Sequence, residues 1–256
     1  MRVEVLATGS SGNCYLFYNK NTNILVECGI DITTIGERLW EKCRIKLSKL
    51  NACVISHCHE DHCNGNTLKK ISGQMPIYGN EEIVNKFPKL AINKLSVVDC
   101  FVVGDIRIQT FRVFHGDTMN NGFIFRDNEN TILFITDFSY TPFDLRKWKF
   151  DEIYIEVNYI RSILEQKIEE VKKQSLKDYN GTKIDFYITK YYRQIKTHMA
   201  LHNAVNFLKG LDLSNTKKIV AIHQSYDCAD KETIKNTLQQ AFNIPSFVAL
   251  KEGGIE

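Results

Sequence analysis

Ala52-Cys-Val-Ile-Ser-His57-Cys58-His59-Glu60-Asp61-His62 decides how this chain is read. An apolar run ends in three imidazoles and a carboxylate within six positions, and those three are drawn from only seven histidines in the chain. Such a set of nitrogen and oxygen donors suits Zn²⁺, Mn²⁺ or Fe²⁺, whereas Ca²⁺ and Mg²⁺ favour mostly oxygen. On an extended strand end, residues i and i+2 point the same way, so His57 and His59 can grip one ion. Asp61 and His62 diverge on extended chain. A turn into helix there lets both reach a second ion beside the first.

Four further polar residues close apolar, strand-like runs: Glu27 after Asn23–Val26, His115 after Ile106–Phe114, Asp137 after Thr131–Thr136 and His223 after Lys218–Ile222. Strand ends at one sheet edge are where loops build sites. Two metals need about that many additional ligands.

With these residues in place, the chain resembles the metallo-β-lactamase fold superfamily of dinuclear metal hydrolases, from Met1 to about Gly254. The resemblance implies an α/β fold, a four-layer αββα sandwich of two mixed β-sheets flanked by helices, as one hydrolase domain over residues 1–256. It implies two divalent transition metal ions, Zn or Mn. By position, His57, His59 and His115 bind the first and Asp61, His62 and His223 the second, with Asp137 bridging. Glu27 stands where the family usually has Asp, and supports the site. The Gly-Ser-rich turn Thr8-Gly-Ser-Ser-Gly-Asn-Cys14 is like that of a bacterial and phage branch of nuclease-like hydrolases. Thr197-His-Met-Ala-Leu-His-Asn203 stands where that branch carries a Gly-His-Leu-Ser-Asn-like segment, here without its Gly and Ser. His198 matches a catalytic-histidine position, so Asp61 and His198 are the expected catalytic residues.

What this implies chemically is hydrolysis by water deprotonated between two metals roughly 3.5–4 Å apart. His198 protonates the leaving oxygen. A phosphodiester substrate fits best, as nucleic acid or alternatively as a small cyclic nucleotide. A thioester or ester hydrolase of the same fold and a non-catalytic binding module are the other readings. A module of that kind typically lacks ligands, and none is lacking. Asp137 and the N-terminus argue against a secreted β-lactamase. His59 argues against a flavo-diiron protein.

Composition bounds the rest. The chain has 256 residues, enough for a substantial core, with 43% hydrophobic and 25% charged residues as in soluble globular proteins. No run of 18 apolar residues appears, so no membrane partner is expected. Met1-Arg-Val-Glu-Val-Leu-Ala-Thr8 enters a strand directly, without a secretory pattern. Eight cysteines without a C-x-x-C pair read as reduced thiols of a cytoplasmic protein. The net charge of +3 is too small to identify a nucleic-acid partner. A homodimer is compatible with all of this.

Periodicity predicts strands at 2–7, 15–18, 23–27, 52–56, 76–78, 106–114, 122–125 and 131–136, with helices at 33–42, after His62 through Ile71, and at 81–86. The second half predicts strands at 152–157, 186–189, 218–222 and 246–250, with helices at 160–177, 200–209 and 231–242. Two strand-rich halves with helices outside fit two packed sheets. Residues 161–196 hold nine Lys or Arg against five Asp or Glu. Tyr192, Arg193 and Lys196 there are the expected substrate-binding residues, through phosphate pairing and base stacking.

Overall fold

A computed structural model describes residues 1–175 and 181–256. Among these, two sheets follow one another in the chain, and in each the spatial order of the strands is their chain order. The first contains β1 (Arg2–Ala7), β2 (Cys14–Tyr18), β3 (Asn23–Val26), β4 (Ala52–Val54), β5 (Ile77–Gly79) and β6 (Ile92–Lys94). The second contains β7 (Cys100–Val103), β8 (Ile106–His115), β9 (Thr118–Arg126), β10 (Thr131–Ile135), β11 (Glu152–Glu156), β12 (Lys218–Ile222) and β13 (Ser246–Val248). The helices are α1 (Ile32–Cys43), α2 (Gly65–Ile71), α3 (Glu81–Lys86), α4 (Arg161–Ser175), α5 (Gly181–Thr197), α6 (Leu201–Lys209) and α7 (Lys231–Phe242).

Strand alternation builds the four layers. Tyr15 and Phe17 of β2 face the second sheet, where Tyr15 meets Phe134 edge-on at 4.9 Å and Phe17 lies 4.2 Å from Phe125. Their neighbour Leu16 points the other way, into a cluster with Leu39 of α1 and Leu68 of α2. On the far side, Leu133, Ile155 and Ala221 pack under Ala204 of α6 and Leu238 of α7. Strands buried on both faces read as near-continuous apolar runs, which is what 52–55, 131–135 and 218–222 are.

Topology then collects the polar strand ends. β3 to β6 are parallel, and so are β10 to β13. β8 is antiparallel to β9, and β9 to β10, so β8 runs with β10. The chain-final ends of these strands therefore share one edge of each sheet, where ligands of such sheets bind.

Beyond shifts of one to three residues at element ends, such as α2 starting at Gly65, the structure departs from the sequence reading in three places. Residues 186–189, expected as a strand, lie inside α5. Their aromatic and β-branched side chains favour strand locally, but Tyr191 and Ile195, one helical turn apart, pack with Tyr159, Leu164 and Ile168. β9 starts at Thr118, four residues before the expected 122, because the hairpin with β8 pairs continuously from His115–Thr118 to Arg107–Arg126. β6 and β7 were not expected. They span three and four largely exposed residues, too few for an alternation to register. The last two positions of the expected 160–177 helix lie outside the described residues.

Candidate metal centre

Three overlapping groups of donors converge at the shared edge: His57, His59, His115 and Asp137; Asp61, His62 and His223; and Asp137, Glu156, His198 and His223. The first two are the predicted triads. Asp137 stands between them with one oxygen for each. Its Oδ2 lies 3.3 Å from His115 Nε2 and 3.7 Å from His57 Nε2. Its Oδ1 lies 3.4 Å from His62 Nε2 and 3.2 Å from His223 Nδ1. His57 Nε2 and His59 Nδ1 are 3.0 Å apart, and Asp61 Oδ2 is 3.3 Å from His223 Nε2. A tetrahedral ion with bonds of about 2.1 Å needs donors about 3.4 Å apart. Both triads therefore fit an ion of that size, and a nitrogen-rich set suits a transition metal.

The remaining nitrogens of these candidate ligand histidines face polar partners. His57 Nδ1 meets Ser56 Oγ at 2.9 Å, His59 Nε2 meets Thr118 Oγ1 at 3.2 Å, and His115 Nδ1 donates to the Thr197 carbonyl at 2.8 Å. Glu27 is fully buried, and its Oε2 accepts the Ser56 amide. Its other oxygen and His62 Nδ1 both lack a hydrogen bond, yet face each other at 3.5 Å. Carboxylates on the distal nitrogen fix a metal-binding imidazole in orientation. Glu27 thus supports His62 and does not join either triad.

Glu27, Asp137 and His223 sit just past β3, β10 and β12 with φ of 65°, 48° and 57°. Left-handed backbone costs a non-glycine residue about 1–2 kcal/mol. The surroundings impose it. Asn120 Nδ2 donates to the carbonyls of Thr136 and Asp137, and the His223 amide donates to Thr8 Oγ1.

The loop carrying Asp61 and His62 is clamped from the first sheet. The Asn13 amide donates to the Asp61 carbonyl at 2.7 Å, and the Cys28 amide to the His62 carbonyl at 2.8 Å. A Cβ on Gly29 would stand 1.8 Å from that Asp61 carbonyl oxygen. Gly29→Ala should therefore destabilise the fold by about 1–3 kcal/mol. That corresponds to a drop of roughly 2–4 °C in Tm per kcal/mol in a protein of this size. The same variant should lose metal from the Asp61 triad. An unchanged melting curve would mean the loop shifts freely.

Electrostatics divides the two triads. Burial, reinforced for His57 by neighbouring His62, depresses the pKa values of His57, His59 and His115, which favours the neutral form that metal binding requires. Burial alone would depress His62 and His223 as well. Asp137, Asp61 and Glu27 outweigh it for His62, which is raised well above the usual imidazole value. Asp137, Asp61 and Glu156 carry His223 up to about 10. A metal entering the second triad must displace those protons. Asp137, whose burial would raise it, is instead held well below the carboxylate range by His223 and His62.

Sequence reading overlooked Glu156. It closes β11 as Asp137 closes β10, and is fully buried. Its Oε1 accepts His198 Nδ1 at 2.6 Å, and its Oε2 accepts the amides of Phe138 and Met199. Asn158, also overlooked, donates to the His223 carbonyl and accepts from Gln194. A cleft of about 670 Å³ opens in front of the donors. His198 and Arg193 line it, joined by Lys190 and Gln194, which no sequence signal marked. Tyr192 and Lys196 are exposed on the same helix and are not among the lining residues. His202 is exposed. All eight cysteines are free thiols, and none belongs to a donor group among the described residues. Among the described residues no helix is long and apolar enough to cross a membrane.

Comparison with known proteins shows the family and the fold. The family model described as the beta-lactamase superfamily domain matches residues 22–224. Exodeoxyribonuclease YycJ of Bacillus anthracis is 26% identical over 147 residues, 55% of this chain and 55% of that protein. The chain thus spans about half the length of the curated relative it matches. The metallo-β-lactamase fold protein YhfI of Bacillus subtilis superposes with a TM-score of 0.68 over 100% of both chains, at 18% identity. Human tRNase Z, short form, does so with a TM-score of 0.60 over 88% of this chain and 93% of its own, also at 18% identity.

Proposed function

The chain belongs to the metallo-β-lactamase superfamily, and within its nuclease-like branch we propose that it is a dinuclear phosphodiesterase acting on nucleic acid. The observation that carries this reading is the His198–Glu156 pair at 2.6 Å, on the rim of a donor cluster that fits two metals. A carboxylate on Nδ1 leaves Nε2 of the imidazole free to hold a proton in the cleft. A proton donor beside the reacting atoms matters for an alkoxide leaving group and is superfluous for a thiolate. The sequence relationship to an exodeoxyribonuclease supports the same substrate class.

In this reading His57, His59 and His115 would hold one ion and Asp61, His62 and His223 the other, with Asp137 between them offering an oxygen to each. Zn²⁺ or Mn²⁺ held there would supply Lewis acidity toward a phosphoryl oxygen and lower the pKa of water. The chain's own groups do the rest. Asp61, a quarter exposed to the cleft, accepts a proton from the attacking water. His198 Nε2 gives a proton to the departing sugar oxygen, and Glu156 Oε1 keeps the ring turned to do so. Arg193 pairs with a phosphate oxygen outside the metals. Residues 1–256 act as one domain, consistent with a core in which Phe17 of the first sheet packs on Phe125 and Phe134 of the second.

The test is a substrate panel on purified protein loaded with Zn²⁺ or Mn²⁺. It comprises bis-p-nitrophenyl phosphate, single- and double-stranded DNA, RNA, 3′,5′-cyclic nucleotides and an acyl thioester. Turnover of nucleic acid with little on the thioester is expected. Efficient thioester cleavage without phosphodiesterase activity would overturn the proposal.

A further inference from the structure

Tyr226 stands at the rim of the cleft and is 94% exposed, more than any other large hydrophobic side chain among the described residues. Such exposure usually belongs to a loose loop, but both neighbours of Tyr226 are fixed. The Ser225 amide donates to the Asn158 carbonyl at 2.8 Å, and Ser225 Oγ donates to Asp227 at 2.8 Å. Asp227 Oδ2 receives Lys190 Nζ at 2.9 Å and the Tyr191 hydroxyl at 3.1 Å. Partial burial works against ionisation of Asp227, yet Lys190 and the neighbouring hydroxyls hold its carboxyl down at about 2, so the clamp stays charged at working pH. Tyr226 is therefore an apolar ring on a rigid stem, held out in water where substrate enters.

The charges around it are unevenly committed. Lys190 is tied to Asp227. Arg193, one helical turn further along α5, lines the same cleft, and no carboxylate lies within ion-pair distance of it among the described residues. Glu60 and Asp117 are the other exposed charges on the rim, also without an ion-pair partner among the described residues. A polyanion is attracted on the Arg193 and Tyr226 side and repelled at Glu60 and Asp117. An aromatic face offers a base 1–3 kcal/mol of stacking whatever its identity, provided the base is unpaired and its face open.

Resting on the nuclease reading above, we infer that the cleft takes single-stranded nucleic acid, with Tyr226 stacking on an unpaired base close to the scissile bond and Arg193 neutralising the adjoining phosphate. The interior of a duplex offers Tyr226 no open base face, because its bases are already paired and stacked. Selectivity is for strandedness and not for sequence.

Steady-state kinetics of the metal-loaded enzyme test this on an unstructured oligonucleotide, the same strand in a duplex, and a series with one abasic residue stepped along the strand near the cleavage point. Tyr226→Ala should raise KM on the single strand by about 5- to 150-fold, with kcat changed less than about threefold. Tyr226→Phe and Tyr226→Trp should keep the wild-type KM. One abasic position should raise the wild-type KM by the same factor, and on that substrate Tyr226→Ala should add nothing. Arg193→Gln should reduce the salt dependence of KM by about one counterion. If the wild type cleaves phosphodiesters but Tyr226→Ala leaves KM unchanged, or if duplex is cleaved as well as single strand, the inference is wrong and the nuclease reading survives. If the wild type cleaves no phosphodiester, both fail.

Discussion

Asp137→Ala should empty both metal positions at once and lower turnover by at least about 10³-fold, since two Lewis-acid centres worth several kcal/mol are lost together. The expectation rests on its two oxygens, one 3.3 Å from His115 and the other 3.2 Å from His223. One-sided variants should behave differently. His115→Ala removes a donor from the first triad only, and His223→Ala from the second only, so each should retain close to one ion per chain. Asp137→Asn is the sharper comparison. It keeps one acceptor oxygen and tolerates the left-handed φ of 48° that strains alanine. It should hold more metal than Asp137→Ala and less than the wild type. Elemental analysis of purified, dialysed protein beside kcat on bis-p-nitrophenyl phosphate reads both quantities. If Asp137→Ala loses no more metal than His115→Ala, the carboxylate does not span the two positions.

The seven donors and Glu27 were legible because each closes an apolar run or falls in one dense motif, and parallel topology brings such ends to one edge whatever the loops between them do. Glu156 carries the same signal. It is obscured because its strand, Glu152-Ile-Tyr-Ile-Glu156, begins and ends with the same residue, and the first Glu is an ordinary edge partner of Lys218. Nothing distinguishes the two until burial does. Asn158 and Gln194 were not legible at all. Amides are common in loops and on helices, and their hydrogen bond joins positions 36 residues apart. Tyr226 is a similar case, because exposure and a clamped stem are tertiary properties. The 186–189 error has the opposite cause. Its local preference for strand is real, and is overridden by the packing of Tyr191 and Ile195 on Tyr159 and Leu164.

One experiment separates His198 as proton donor from His198 as metal ligand. With Glu156, Asp137 and His223 it forms a donor group tight enough for an ion, so it could be a ligand. Its Nδ1 is already engaged by Glu156, and its ring stacks parallel to His223 at 5.5 Å, which leaves Nε2 for a proton. A positioned general acid contributes about 10²–10⁴-fold. His198→Ala should therefore keep about two metal ions and lower kcat by roughly 10²–10⁴-fold on a natural diester. The loss should be far smaller on p-nitrophenyl esters, whose phenolate leaves without a proton. Glu156→Gln, which conserves shape but removes the charge that holds the imidazole, should follow the same substrate-dependent pattern with a smaller loss. A ligand cannot produce that contrast, because removing an ion harms good and poor leaving groups alike. Equal losses on the two substrates, or departure of a metal from the His198 variant, would assign His198 to the metal centre and leave the leaving group without its acid.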